Sequence, residues 1–146
     1  MAKQKQSQPA RSELVLPLPT GTVIRARYRA THRGGALNLY CGEDIAIHIN
    51  PRPHEGLVLN SHFGGWGGEE RPGGYPFDEG AEIVLTVFVR AADFRIRAAV
   101  AGDAEGFTYL YARRHSKGAD LDRLTFDIPN LLALSVQPRP VAGDRE

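Results

Sequence analysis

Between Glu82 and Arg90 the chain alternates as an extended strand does, with Ile83, Leu85, Val87 and Val89 on one face and Val84, Thr86 and Phe88 on the other. A strand that is apolar on both faces belongs inside a sheet with little of either surface open to water, so this segment is expected near the centre of a layered β fold. Nine further segments share the period of two: Ser12 to Leu16, Thr22 to Arg29, Ala36 to Tyr40, Ile45 to Asn50, Leu57 to Ser61, Phe94 to Ala98, Phe107 to Ala112, Leu121 to Ile128 and Leu131 to Val136. Turn residues separate them at close intervals, and no stretch of useful length has the period of a helix. The expectation is an all-β, antiparallel β-sandwich.

At 146 residues the chain fits one domain, which buries roughly 70% of the surface of its unfolded form. A formal net charge of +1 creates no general field, so neither nucleic acid nor a membrane surface is an expected partner. With Cys41 as its one cysteine the chain forms no internal disulfide, which points to synthesis in a reducing, cytoplasmic compartment. Residues 1–11 form a polar arm expected to be flexible, without the apolar run of a signal peptide, and residues 138–146 a polar tail. Between them, residues 12–137 are expected to fold as the single domain.

The chemistry concentrates between Ile45 and Arg71. Alternation through Ile45, Ile47 and Ile49 sends His48, Asn50 and Arg52 to the opposite face. In the next segment Leu57 and Leu59 oppose Val58 and Asn60, so Asn60 is placed to extend the same polar floor. Trp66 and Glu69 are three apart and share a surface only if the backbone kinks, for which Gly67 and Gly68 offer freedom. Glu69 and Arg71, two apart, share a face. Donors, acceptors and one aromatic plate thus converge without an obvious nucleophile. A sugar needs this mixture, since its hydroxyls donate and accept while its C–H patch packs on an indole.

The run His48-Ile49-Asn50-Pro51-Arg52, then Val58-Leu59-Asn60, then Trp66-Gly67-Gly68-Glu69-Glu70-Arg71 closely resembles the signature of galectins, the β-galactoside-binding lectins. Seven polar or aromatic positions match in order, and the resemblance extends from Ser12 to Val136, with Tyr75-Pro76-Phe77 and Gly80 also similar. It implies a single carbohydrate-recognition domain, a jelly roll of two sheets of five or six strands with the sugar on the concave sheet. It also implies that His48, Asn50 and Arg52 bind the axial 4-hydroxyl of galactose, that Trp66 stacks on the sugar's apolar face, and that Asn60 and Glu69 take the 6-hydroxyl. Arg52, Glu69 and Arg71 would reach the next sugar, as in lactose or N-acetyllactosamine. The turn from Asn60 to Trp66 is one residue shorter than in many galectins, which bears on fine specificity. Further implications are a homodimer or homotetramer that cross-links glycoproteins or glycolipids, an exposed edge at Ser12 to Leu16 or Leu131 to Val136, and export without a signal peptide.

Rival readings carry less. A glycosidase needs two carboxylates flanking the scissile bond, whereas Glu69 and Glu70 are adjacent and point apart, and the arginines beside Glu69 make it a poor general acid. No enzyme is expected. His48, His54 and His62 lack the spacing of a metal site, and no cofactor is expected. An interaction module that has lost sugar binding is disfavoured by the intact seven-residue set. Glu70 and Arg71 read as an ordinary surface pair. The row Arg25, Arg27 and Arg29, opposite Ile24, Ala26 and Tyr28, reads as a solvated strand face rather than an anion site.

Overall fold

The computed structural model describes residues 12–31, 33–52, 55–73, 78–114 and 120–137. The arm, the tail, His54, and Tyr75, Pro76 and Phe77 lie outside the described residues.

Ten strands follow one another: β1 (Ser12–Val15), β2 (Val23–Arg29), β3 (Leu37–Cys41), β4 (Asp44–Arg52), β5 (Gly56–His62), β6 (Glu82–Val89), β7 (Asp93–Val100), β8 (Phe107–Ala112), β9 (Arg123–Phe126) and β10 (Leu131–Gln137). They form two antiparallel five-stranded sheets, in the orders β1-β9-β3-β4-β5 and β10-β2-β6-β7-β8. The doubly apolar β6 is the middle strand of the second sheet. All four of its inner residues, Ile83, Leu85, Val87 and Val89, are buried. β9 is shorter than the alternation suggested, although the residues flanking it still bond toward β3: Asp122 N–H donates to Tyr40 O at 2.9 Å, Asp127 N–H to Ala36 O at 3.1 Å, and Asp127 Oδ1 accepts the Ala36 N–H at 2.7 Å.

The core lies between the sheets. Leu37, Leu39, Ile47, Ile49, Leu59 and Phe126 of the first meet Ile24, Tyr28, Leu85, Phe94, Ile96 and Tyr111 of the second. Burying such side chains supplies most of the drive to fold, at about 25 cal/mol per Å² of apolar surface.

One sequence expectation needs correction. Ile47 faces Leu39 while Ile45 faces Tyr40, and on the other flank His48 faces Asn60 while Ile45 faces His62. Ala46 is therefore the extra residue of a β-bulge. The bulge lets Ala46 and Ile47 both enter the core, and it moves Ile45 to the face of Tyr40 and His62, away from Ile47 and Ile49. Its displaced carbonyl is not left bare. The Ser61 hydroxyl donates to the Ala46 oxygen at 2.8 Å and lies 2.6 Å from the buried Tyr111 hydroxyl of the opposite sheet. Beyond the bulge the two-residue period resumes, so His48, Asn50 and Arg52 all reach the outer face.

Candidate binding cleft

The floor of the cleft is the outer face of β4 and β5. The antiparallel register sets His48 opposite Asn60, Asn50 opposite Val58 and Arg52 opposite Gly56. After β5 the chain turns through residues 63–65, where Gly64 takes a φ of 77° and the Phe63 N–H donates to the Gly65 carbonyl at 3.1 Å. It then runs back along β5, with Gly67 N–H donating to Ser61 O at 3.0 Å and Leu59 and Glu70 exchanging bonds of 2.9 and 2.8 Å. This return path makes a short wall. Gly67 serves it by lacking a side chain rather than by an unusual φ: a Cβ there would lie 2.8 Å from Arg114 Nη1 and 3.3 Å from Asn60 Oδ1.

A cleft of about 340 Å³ opens between floor and wall, lined by His48, Arg52, Val58, Asn60, Trp66 and Glu69, with Gly67 at its edge. Five of the seven residues singled out in the sequence therefore line one space. The other two do not line it. Asn50 is 8% exposed, donating from Nδ2 to the Gly35 carbonyl and accepting Arg52 Nε on Oδ1. Arg71 grips Glu69 Oε1 through Nε at 3.1 Å and Nη2 at 2.9 Å. Trp66 is 54% exposed, the most open large aromatic among the described residues, with its indole held edge-on between His48 and His62 at centroid distances of 4.8 and 4.9 Å.

The hydrogen-bond network fixes what each group offers. The Thr125 hydroxyl donates to Tyr40 at 3.4 Å, so it accepts from Asn38 Nδ2 at 3.2 Å, which turns Asn38 Oδ1 toward His48 Nδ1 at 2.7 Å. His48 thus carries its proton on Nδ1 and keeps the Nε2 lone pair free of that bond. Burial lowers its pKa below the ordinary value, with Arg52 adding to the effect while Asp127 and Glu69 oppose it. The imidazole is neutral at pH 7. Asn60 is similarly assigned: its Oδ1 accepts from Ser61 N–H at 2.8 Å and Arg114 Nη1 at 3.1 Å, and its Nδ2 donates to Gly67 O at 3.0 Å. One Nδ2 hydrogen remains for a ligand.

Three charged residues that the sequence did not single out complete the site. Glu55 accepts Arg52 at 3.2 Å and Arg71 at 3.5 Å through the same oxygen, and the bond from Arg52 holds its carboxyl below the usual range. Arg114 reaches the Gly68 carbonyl at 2.8 Å and Glu70 at 2.9 Å as well as Asn60. Glu70 pairs with Arg114 and Tyr109, not with Arg71, which corrects the surface-pair reading. The Arg52/Glu55 spacing was visible in the sequence. Arg114 arrives from the end of β8, and nothing local marks it. Among the described residues, no group that lines the cleft is arranged as a nucleophile with a base beside it.

The family model described as galactoside-binding lectin matches residues 11–126. Galectin-7 of Homo sapiens is 36% identical over 105 residues, covering 66% of this chain and 75% of that protein. A β-galactoside-binding lectin of Electrophorus electricus is 42% identical over 60 residues, covering 37% of this chain; the chain spans 46% of that lectin's length. Among solved structures, toad ovary galectin in complex with thio-digalactose superposes with a TM-score of 0.73 at 20% identity, covering 89% of this chain and 100% of that one. Galectin-Ib of Xenopus laevis gives 0.70 at 24%, covering 88% and 100%. These two show the fold.

The buried imidazole makes stability depend on pH. Its folded pKa lies below 6.5, so in mild acid the unfolded chain takes up the proton first, and stability falls as pH drops from that value toward the folded pKa. Urea unfolding at about pH 7.5 and 5.5 should show a smaller acid loss for His48→Gln than for wild type; equal losses would contradict the assignment.

Proposed function

The chain belongs to the galactoside-binding lectin family, and on that premise we propose that the cleft between His48 and Trp66 binds a terminal β-galactoside without transforming it. The observation that carries this reading is the half-exposed Trp66 indole standing beside a row of polar groups whose orientations are already fixed by bonds to protein. The apolar face of galactose stacks on the indole. Its axial 4-hydroxyl donates to His48 Nε2 and accepts from Arg52, with Asn50 steering the guanidinium from behind. The 6-hydroxyl takes the remaining Asn60 N–H and the Glu69 carboxylate. Arg52, Glu69 and Arg71 then reach the second sugar, glucose in lactose or N-acetylglucosamine in N-acetyllactosamine. That the toad ovary galectin of the same fold was found in complex with thio-digalactose agrees with a galactoside as the ligand.

A shallow, wet cleft exchanges hydrogen bonds with water, so a single site binds in the micromolar to millimolar range, about 4 to 8 kcal/mol. Weak sites become effective in pairs. We propose that copies associate through sheet edges and so cross-link glycoconjugates. β1 and β10 are edge strands, and on β1 Val15 is 78% exposed. Light scattering across a range of concentrations should reveal a dimer or larger species, and a monomer throughout would rule this out. We also propose synthesis in the reducing cytoplasm, which the free Cys41 supports, with later action on glycans at the cell exterior; a protein found only inside expressing cells, never in their medium or on their surface, would count against the second part.

Calorimetric titration should detect lactose and not cellobiose, whose terminal sugar presents its 4-hydroxyl equatorially and leaves His48 and Arg52 unpaired. Trp66→Ala should weaken lactose binding by about tenfold or more, since an aromatic contact is worth about 1 kcal/mol beyond its buried area. Equal binding of the two disaccharides, or an unaffected Trp66→Ala, would overturn the reading.

A further inference from the structure

The outer face of the second sheet, turned away from the cleft, gathers two arginine rows that are far apart in sequence. Arg25, Arg27 and Arg29 project from β2, and Arg95 and Arg97 from β7, with β6 between them. The register sets Arg25 beside Thr86 and Thr86 beside Arg97. The two guanidinium stems therefore rise from positions about 10 Å apart, and those along β2 are about 7 Å apart. Thr86 occupies an outward position yet is 3% exposed, so its neighbours on that face, the arginines among them, close over it.

Charge compensation differs sharply between the two sides of the molecule. In the cleft, Arg52 and Arg71 share Glu55, Arg71 also holds Glu69, and Arg114 holds Glu70. On the opposite face Arg27 and Arg29 share one carboxylate, Glu82, at 3.2 and 3.7 Å. Arg25, Arg95 and Arg97 have no carboxylate within ion-pair distance among the described residues. Arg95 caps the Phe88 ring at 5.1 Å, and Arg97 leans on the carbonyls of Ala104 and Glu105. A chain of net charge +1 thus presents six arginines, Arg25, Arg27, Arg29, Arg90, Arg95 and Arg97, against two carboxylates, Glu82 and Asp93, on a single sheet face, and Asp93 is taken up by Arg90 at 2.6 Å. Read from β2 alone, the row looked like ordinary solvated surface. Pairing through β6 doubles it into a two-dimensional basic field.

We propose that this face is a second binding site, for an extended sulfated polysaccharide. Guanidinium groups match sulfate oxygens through paired N–H donors, and several such contacts spaced along a flat sheet suit a linear polyanion. The fit to nucleic acid is poorer. Phe88 lies under Arg95, so among the described residues the face offers no open aromatic plate on which a base could stack, and no element protrudes that would enter a groove. Since the cleft lies on the other sheet, both ligands are held at once, which lets one copy bridge a galactoside and a sulfated chain. The proposal stands apart from the galactoside reading and does not depend on it.

The test uses a size-defined heparin fragment as probe, titrated into the full chain with and without excess lactose at several salt concentrations. The fragment should bind in lactose as tightly as without it. The Arg25→Ser/Arg97→Ser variant should lose about tenfold or more in affinity and lower the slope of log Kd against log salt by about 2, one for each lost contact. The Arg25→Lys/Arg97→Lys variant should recover part of the affinity. Urea unfolding, which reports on neither ligand, checks that the variants fold. Three results would overturn the proposal: competition by lactose, wild-type affinity in the serine variant, or equal or tighter binding of a single-stranded oligonucleotide of matched charge.

Discussion

The register of β4 against β5 decides which residues of this chain meet water and which meet the core, and the cleft depends on it. With Ala46 bulged out of the ladder, the strand enters with Ile45 on the outside and leaves with His48, Asn50 and Arg52 there, while Ile47 and Ile49 stay buried. A slip of one residue would bury an imidazole, an amide and a guanidinium and expose the isoleucines, at a cost no small domain could offset. The bulge is held from the opposite sheet, through Ser61 and Tyr111. The packing of the two sheets thus reaches directly into the geometry of the binding surface.

A second property follows from how fully the cleft's groups are occupied by protein. Asn38 sets the tautomer of His48, Gly35 and Arg52 take up Asn50, Arg114 and Gly67 set the amide of Asn60, and Glu55 and Glu69 hold Arg71. Each group retains a definite remnant of its capacity, a lone pair on His48 and a single N–H on Asn60, and in the proposed reading those remnants define what the cleft recognises. Fixing them beforehand lowers the ordering cost of binding. It also raises the penalty for a sugar whose hydroxyl points elsewhere, because the fixed partner cannot swing to follow it.

Alternation carried most of the fold into the sequence. The doubly apolar β6 emerges as the central strand, and all ten expected strands are present with ends shifted by a residue or two. Five of the seven expected site residues line the cleft: His48, Arg52 and Asn60 because the two-residue period places them on the outer face of β4 and β5, and Trp66 and Glu69 because the chain turns back along β5. The failures have a common cause. Ile45 was misplaced because a bulge adds a residue that periodicity cannot count. Arg114 went unnoticed and Glu70 was given the wrong partner, because their meeting depends on how the end of β8 lies against the return path after β5, 44 residues away in sequence. The breadth of the arginine face was hidden in the same way, since Arg25 and Arg97 are related only through the pairing of both strands with β6.

The central claim, that a pre-set cleft on the first sheet takes a galactoside against Trp66, is tested most directly by mapping backbone and side-chain amide shifts during a lactose titration. The account predicts that the largest changes fall on His48, Asn60, Gly67 and the Trp66 indole N–H, with the Asn60 side-chain amide moving while β2 and β7 stay still. Shifts concentrated on the second sheet, or an unmoved Trp66 indole at saturation, would contradict it.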